Sequence, residues 1–144
     1  MSQIVELTAE ECLSLLRTRT VGRIGVATPA GPIIVPVNYA LSDETIVFRT
    51  LPYGVIANNA NLVDVAFEVD SLDEGMQEGW SVLAAGPCRR IEDSDEVRLI
   101  RAEWDPTPWA DGQRNLYFRI GWTSLTGRQL GLAERPSLIP TART

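Results

Sequence analysis

Apolar positions near the start of the chain recur at helical spacing, and from residue 21 they recur every second residue. Thr8 with Glu11 three residues later forms a T-x-x-E capping box, and Cys12, Leu15 and Leu16 follow before Arg17 to Thr20 ends the pattern, which predicts a first helix. "VGRIGVAT" (21–28), "PIIVPVNYAL" (32–41) and "TIVFRT" (45–50) are rich in β-branched residues and separated by "PAG" and "SDE", so they predict short strands joined by turns. "LPYGVIANNANL" breaks the rhythm and predicts one short helix. "VDVAFEVD" (63–70) alternates apolar and polar, the pattern of a half-buried strand with Glu68 and Asp70 on its wet face.

Beyond the polar "SLDEGMQEG", "WSVLAAGPCRRI" (80–91) predicts a long strand in which Gly86 and Pro87 mark a bulge or bend. Ser94 to Trp104 reads as a helix with Val97, Ile100 and Trp104 on one face. "DPTPWADGQ" reads as a loop, "NLYFRIGWTSLTGRQL" returns to β character, and residues 135–144 form a tail expected to be flexible. Some six strands joined mostly by short turns, with three helices at intervals, predict a compact β-barrel with peripheral helices in one domain spanning 1–134. A βαβ dinucleotide fold would need alternating strands and helices and a Gly-rich first turn, and neither is present.

Composition narrows the function. The 144 residues are 44% hydrophobic and 22% charged, ordinary for one globular domain. No apolar run reaches the ~20 residues of a membrane span, and the first twenty residues lack a basic start followed by an apolar stretch, so a cytoplasmic protein is expected. A net charge of −6 speaks against nucleic acid and against anionic membrane as partners, since both require a basic face. Cys12 and Cys88 have no C-x-x-C spacing and read as reduced, buried thiols. The chain contains no histidine, which excludes Ser/His/Asp and Cys/His nucleophiles, histidine-ligated zinc and histidine-ligated haem.

In order, "LTAEECLSLL", "VGRIGV", "VPVNY", "IVFRT", "VAFEVD", "GWSVLAAGPCRRI", "PWADG" and "LTGRQL" resemble the pyridoxamine 5'-phosphate oxidase-related proteins, in a branch frequent among actinobacteria. The resemblance covers about residues 4 to 130. It implies a mainly β fold, the FMN-binding split β-barrel with a few peripheral helices, assembled as a homodimer whose flavin sites lie between subunits. Many relatives follow the Arg-Thr pair with a Gly-Thr-Lys-type segment whose lysine helps bind phosphate, whereas this chain continues "LPYGVIANN".

With that resemblance, candidate cofactor-binding residues gather in four stretches. Phe48, Arg49 and Thr50 end "TIVFRT": a guanidinium suits bidentate bonding to phosphate and a threonine adds a hydroxyl, although adjacent strand residues face opposite ways. The alternative for Arg49 is a solvated strand end or a surface ion pair. A helix opening at Gly54 and Val55 would aim backbone N–H groups at the same anion. Val35, Pro36, Val37 and Asn38 would border the flavin ring, with Pro36 suggesting an edge or bulge and Asn38 offering an amide. Trp80, Ser81 and Val82 form a second wall, although core or interface packing is the commoner role of a tryptophan such as Trp80. Trp109 would cap the site from a partner subunit, and Arg128 would reach a phosphate or substrate anion across the interface or remain a surface group. Arg89 and Arg90 read as solvated strand-end charges.

The expected cofactor is FMN, with the deazaflavin F420 as alternative, and the expected chemistry is hydride or electron transfer with a small-molecule acceptor or donor. A non-enzymatic flavin carrier is the third reading. Oxidation of pyridoxamine phosphate itself is disfavoured, because no arginine cluster builds a second phosphate site. Without an imidazole, protons would come from water or from the phenols of Tyr39 or Tyr53.

Overall fold

A computed structural model of the chain describes residues 3–104 and 116–131. Its elements are β1 (Gln3–Glu6), α1 (Ala9–Leu16), β2 (Val21–Thr28), β3 (Gly31–Ser42), β4 (Thr45–Thr50), α2 (Val55–Asn59), β5 (Val63–Asp73), β6 (Glu78–Arg90), α3 (Ser94–Glu103), β7 (Leu116–Ile120) and β8 (Ser124–Gly131). The strands run in the order β1-β8-β6-β5-β2-β3-β4-β7, and a further pairing of β6 with β7 closes β6-β5-β2-β3-β4-β7 into a barrel. β8 and β1 continue the sheet beyond the ring, on the first half of β6. Every ladder is antiparallel.

The period-two residues fill the barrel. Ile24 and Val26 of β2, Val37 and Tyr39 of β3, Ile46 and Phe48 of β4, Val65, Phe67 and Val69 of β5, Val82 of β6, and Phe118 and Ile120 of β7 form one buried core. Phe48 stacks on Phe118 with ring centres 5.4 Å apart, and Tyr39 meets Phe67 edge-on at 5.1 Å. Burying one such ring stabilises the fold by about 1.5–3 kcal/mol.

Helix α1 begins at the predicted capping box: Glu11 N donates to Thr8 Oγ1 at 3.1 Å and Thr8 N donates to Glu11 Oε1 at 2.8 Å. Its apolar face brings Cys12, Leu15 and Leu16 into the core beside β8. That approach requires Gly127, where an added Cβ would lie 2.7 Å from Cys12 Sγ.

Two details differ from the sequence expectation. The predicted bulge at Gly86 and Pro87 is absent on the β5 side, where the register runs unbroken from Val63↔Cys88 to Asp73↔Glu78. The other edge explains the pair: β6 lies against β8 through Ala85 and against β7 from Cys88. At the changeover the Trp122 backbone comes so close that a Cβ on Gly86 would sit 2.8 Å from its Cα. The second detail is β1, whose four residues carry no readable period and gain their structure by pairing with β8.

Strand β4 is covered on both sides. Ile46 and Phe48 face the barrel interior, while Val47 joins Ile91, Ile100 and Tyr117 in a second cluster completed by Val97 and Trp104 of the α3 region. The i, i+3, i+7 face read from the sequence is therefore the face that α3 buries. Asp93 caps α3 by accepting from Asp95 N at 2.8 Å, and Arg119 of β7 ties the helix to the barrel by bonding both Glu96 and Thr45. Among the described residues no helix is long and apolar enough to cross a membrane.

Candidate functional site

Alternation along β4 turns Arg49 away from the barrel interior, onto the side of Val47 and under α3. Only 7% of Arg49 is exposed. Its Nη2 donates to Asn38 Oδ1 at 3.3 Å, and its guanidinium carbon lies 5.3 Å over the ring of Trp104. Asn38 reaches it because the β3–β4 ladder pairs Tyr39 with Phe48, which leaves Asn38 and Arg49 as the next neighbours on the outward side. Trp104 follows α3 as its C-cap, its N–H bonded to Ile100 O at 2.8 Å and its ring edge-on to Tyr117 at 6.2 Å.

The remaining candidates on this side of the molecule divide by face. Thr50 is half-buried at the last position of β4, opposite Leu116, and its side chain leaves the strand on the face opposite Arg49. The chain then turns through Tyr53, which holds a φ of 66°, to Gly54, the N-cap of α2, which carries no side chain to accept from the first-turn N–H groups, and to exposed Val55. Val37 and Phe48 point into the core, so only their backbone borders the outer surface. Val35 packs partly on that core. Pro36 is exposed opposite Arg23, in the half of β3 that the ladder to β4 does not reach, so it stands beside an open edge.

The second group lies elsewhere. Trp80 is half-buried against the main core with the Arg19 guanidinium carbon 6.0 Å over its ring, Val82 is inside the core, and half-buried Ser81 pairs with Asp70 on one side and exposed Arg128 on the other. β8 joins the sheet on β6, and in the closed barrel β6 lies two strand steps from β4 by way of β7, so Arg128 and Arg49 stand on strands three steps apart. Trp109 lies outside the described residues. Arg89 and Arg90 are exposed, as expected.

Tyr39 is not a donor to any outer site. Its side chain is buried in the barrel, its hydroxyl donates to Leu16 O, and burial raises the phenol's pKa well above its ordinary value. Tyr53, at 91% exposure, is the phenol that faces solvent beside α2. Both cysteines are free and buried, and burial pushes the Cys88 thiol up to about 12 and the Cys12 thiol upward.

On the outer face of β2 and β5, Arg23 Nη1 donates to Glu68 Oε1 at 3.2 Å and Asp70 Oδ2 at 3.1 Å. Burial first, then the hydrogen bond to Asp70 and its negative charge, raise the Glu68 carboxyl to about 7 against the pull of Arg23. The described residues hold no cluster of acids and thiols fit for a metal ion. All thirteen basic side chains of the protein are arginine, so no lysine stands anywhere to replace the one missing after Thr50.

Sequence reasoning placed Arg49 and Asn38 at a site and missed Trp104. The helical face of Val97, Ile100 and Trp104 was the available signal, but it says that the ring is buried, not that an arginine of β4 lies beneath it.

A closed antiparallel barrel with its sheet extended by two further strands and α3 laid across β4 defines a split β-barrel with few peripheral helices. The family model for pyridoxamine 5'-phosphate oxidase matches residues 8–129, and the chain belongs to that family. A conserved protein of unknown function from Corynebacterium diphtheriae superposes with a TM-score of 0.73 at 31% identity, covering 87% of this chain and 96% of that one. The FAD binding protein from Mycobacterium smegmatis gives a TM-score of 0.68 at 27% identity, covering 88% and 98%. An uncharacterized protein of Mycobacterium tuberculosis is 32% identical over 100 residues, 66% of this chain, and the match spans 66% of that relative's length.

Proposed function

We propose that the protein is a homodimeric FMN-dependent oxidoreductase that holds the flavin phosphate at Arg49 and passes hydride or electrons between the flavin and a small acceptor. The observation that carries this reading is Arg49 itself. A guanidinium at the end of a barrel strand, 7% exposed, bonded by Asn38 and covered by Trp104, has the donor geometry for a phosphate. The Mycobacterium smegmatis relative, described as an FAD binding protein, supports flavin as the ligand class.

The donor set fits a phosphate monoester without a lysine: the Arg49 guanidinium carries the charge, the Asn38 amide holds it, and backbone N–H groups of the turn into α2 add donors. In this reading the Trp80, Ser81 and Arg128 group on β6 and β8 serves the site of a second copy, and Arg49 on β4 serves the site of its own. The outer face between them suits such packing, since Gly25, Ala66 and Ala85 are small and Leu83 and Ile34 stand 44% and 71% exposed.

Flavin, when bound, supplies the hydride and electron chemistry. The chain's part is to bind and orient it, and to shield one face while a substrate takes the other. No imidazole moves a proton here and Tyr39 is sealed in the core, so a required proton comes from water or from exposed Tyr53.

The test is the absorption spectrum of the purified protein, with release and identification of the bound compound, which separates FMN from FAD and F420. Anaerobic reduction and stopped-flow mixing with quinones and nitroaromatics then separates enzyme from carrier: reoxidation faster than that of free reduced FMN is expected, and an equal rate for every acceptor leaves the carrier. Light scattering at micromolar concentration is expected to give a dimer, and a flavin-loaded monomer would rule out a shared site.

A further inference from the structure

We infer that Trp104 is the positioning residue for Arg49, fixing its guanidinium for a phosphate monoester before the ligand arrives; this rests on the flavin-phosphate reading of the same site. With no lysine in the protein, the contact to a phosphate beside β4 depends on how well Arg49 is held. An arginine side chain gives up rotamer freedom when ordered, and a residue that is already ordered does not add that cost to binding.

The geometry supplies that order. A guanidinium held over an indole is drawn to the negative face of the ring and loses freedom to swing away from it. The Arg49 guanidinium carbon lies 5.3 Å over the Trp104 ring, and Nη2 donates to Asn38 Oδ1 at 3.3 Å. Trp104 is itself held on three sides, by the α3 backbone through Ile100 O, by the edge of Tyr117 and by the apolar cluster of Val47, Ile91 and Ile100. A support tied to a helix and two strands keeps a binding group within the small tolerance that a bidentate contact requires.

The experiment titrates FMN and riboflavin, which lacks the phosphate, into the apo form of the full chain and of two variants. For Trp104→Leu, FMN affinity is expected to fall about tenfold, as the loss of a cation–π contact of ~1–2 kcal/mol implies, while riboflavin affinity changes less than about twofold. Trp104→Phe keeps a ring face and should lose only about threefold for FMN. An equal loss for both flavins would show a merely structural role and overturn the inference, as would unchanged FMN affinity in Trp104→Leu. Should the leucine variant fail to fold, Trp104→Phe decides alone: a selective FMN loss supports positioning and no loss overturns it. Wild-type protein that binds riboflavin as tightly as FMN removes the phosphate contact and this inference together, and wild type that binds neither removes the flavin reading itself.

Discussion

Arg49 and Arg23 both point outward from the barrel, two strands apart, in opposite circumstances. The side chain of Arg23 is 54% exposed and divides one nitrogen between two carboxylates. Arg49 is buried beneath α3, bonded to an amide and held with its guanidinium carbon over an indole. The difference comes from what the fold lays over each side chain: α3 and Trp104 cover Arg49, whereas Arg23 is left half-exposed on the outer face of β2. A phosphate approaching Arg23 meets two acids already holding it, and such exposed pairs contribute only about 0–1 kcal/mol to stability. Burial alone does not make an arginine functional, but burial with a held orientation is what separates a binding group from a solvated charge.

The largest predicted effect breaks the two faces of β4 apart. Phe48→Ala should cost about 3–5 kcal/mol of stability in urea unfolding, because its stack on Phe118 fills the barrel. Arg49→Ala, one residue on, should weaken FMN by about 1.5–3 kcal/mol in equilibrium titration and leave the fold intact; unchanged affinity would remove Arg49 from the site. Arg23→Ala should move FMN affinity by less than about 0.5 kcal/mol, the sharpest statement that the two arginines differ.

A smaller effect distinguishes the Arg23 region by pH. The Glu68 carboxyl is raised from 4.5 to about 7, so the folded protein holds this proton more tightly than the unfolded chain. Its stabilising contribution is complete below the unfolded value and disappears as pH rises through about 7. Thermal melting at pH 5 and pH 8 should show a drop in wild type that Glu68→Gln reduces, and an equal drop in both would acquit Glu68.

Much of this arrangement was legible in the sequence, for local reasons. β2 and β4 begin and end where expected because turn residues stand at their limits, and the capping box of α1 is contained within four residues. Gly86 and Pro87 were legible as a disturbance but not as a change of partner, since the partners β7 and β8 lie far along the chain. At the site, the sequence picks out Arg49 and Asn38 by residue type. Their meeting with Trp104 depends on how α3 crosses β4, which no spacing encodes. Tyr39 failed as a proton donor for the same kind of reason: alternation along β3 turns it inward, and alternation is counted from a register that the sequence does not state.

The basic side chains, all arginine, bear on how the protein could be interrogated in solution. Imidazole and thiol are the side-chain types that ordinarily change charge between about pH 6 and 9; one is missing and the other is displaced upward in both places where it occurs. Among the described side chains, the Glu68 carboxyl is raised into that interval, to about 7. A titration curve of ligand affinity is therefore questioned first at that carboxyl. An inflection near 7 that vanishes in Glu68→Gln belongs to that carboxyl, and one that survives belongs to another group or to the bound compound.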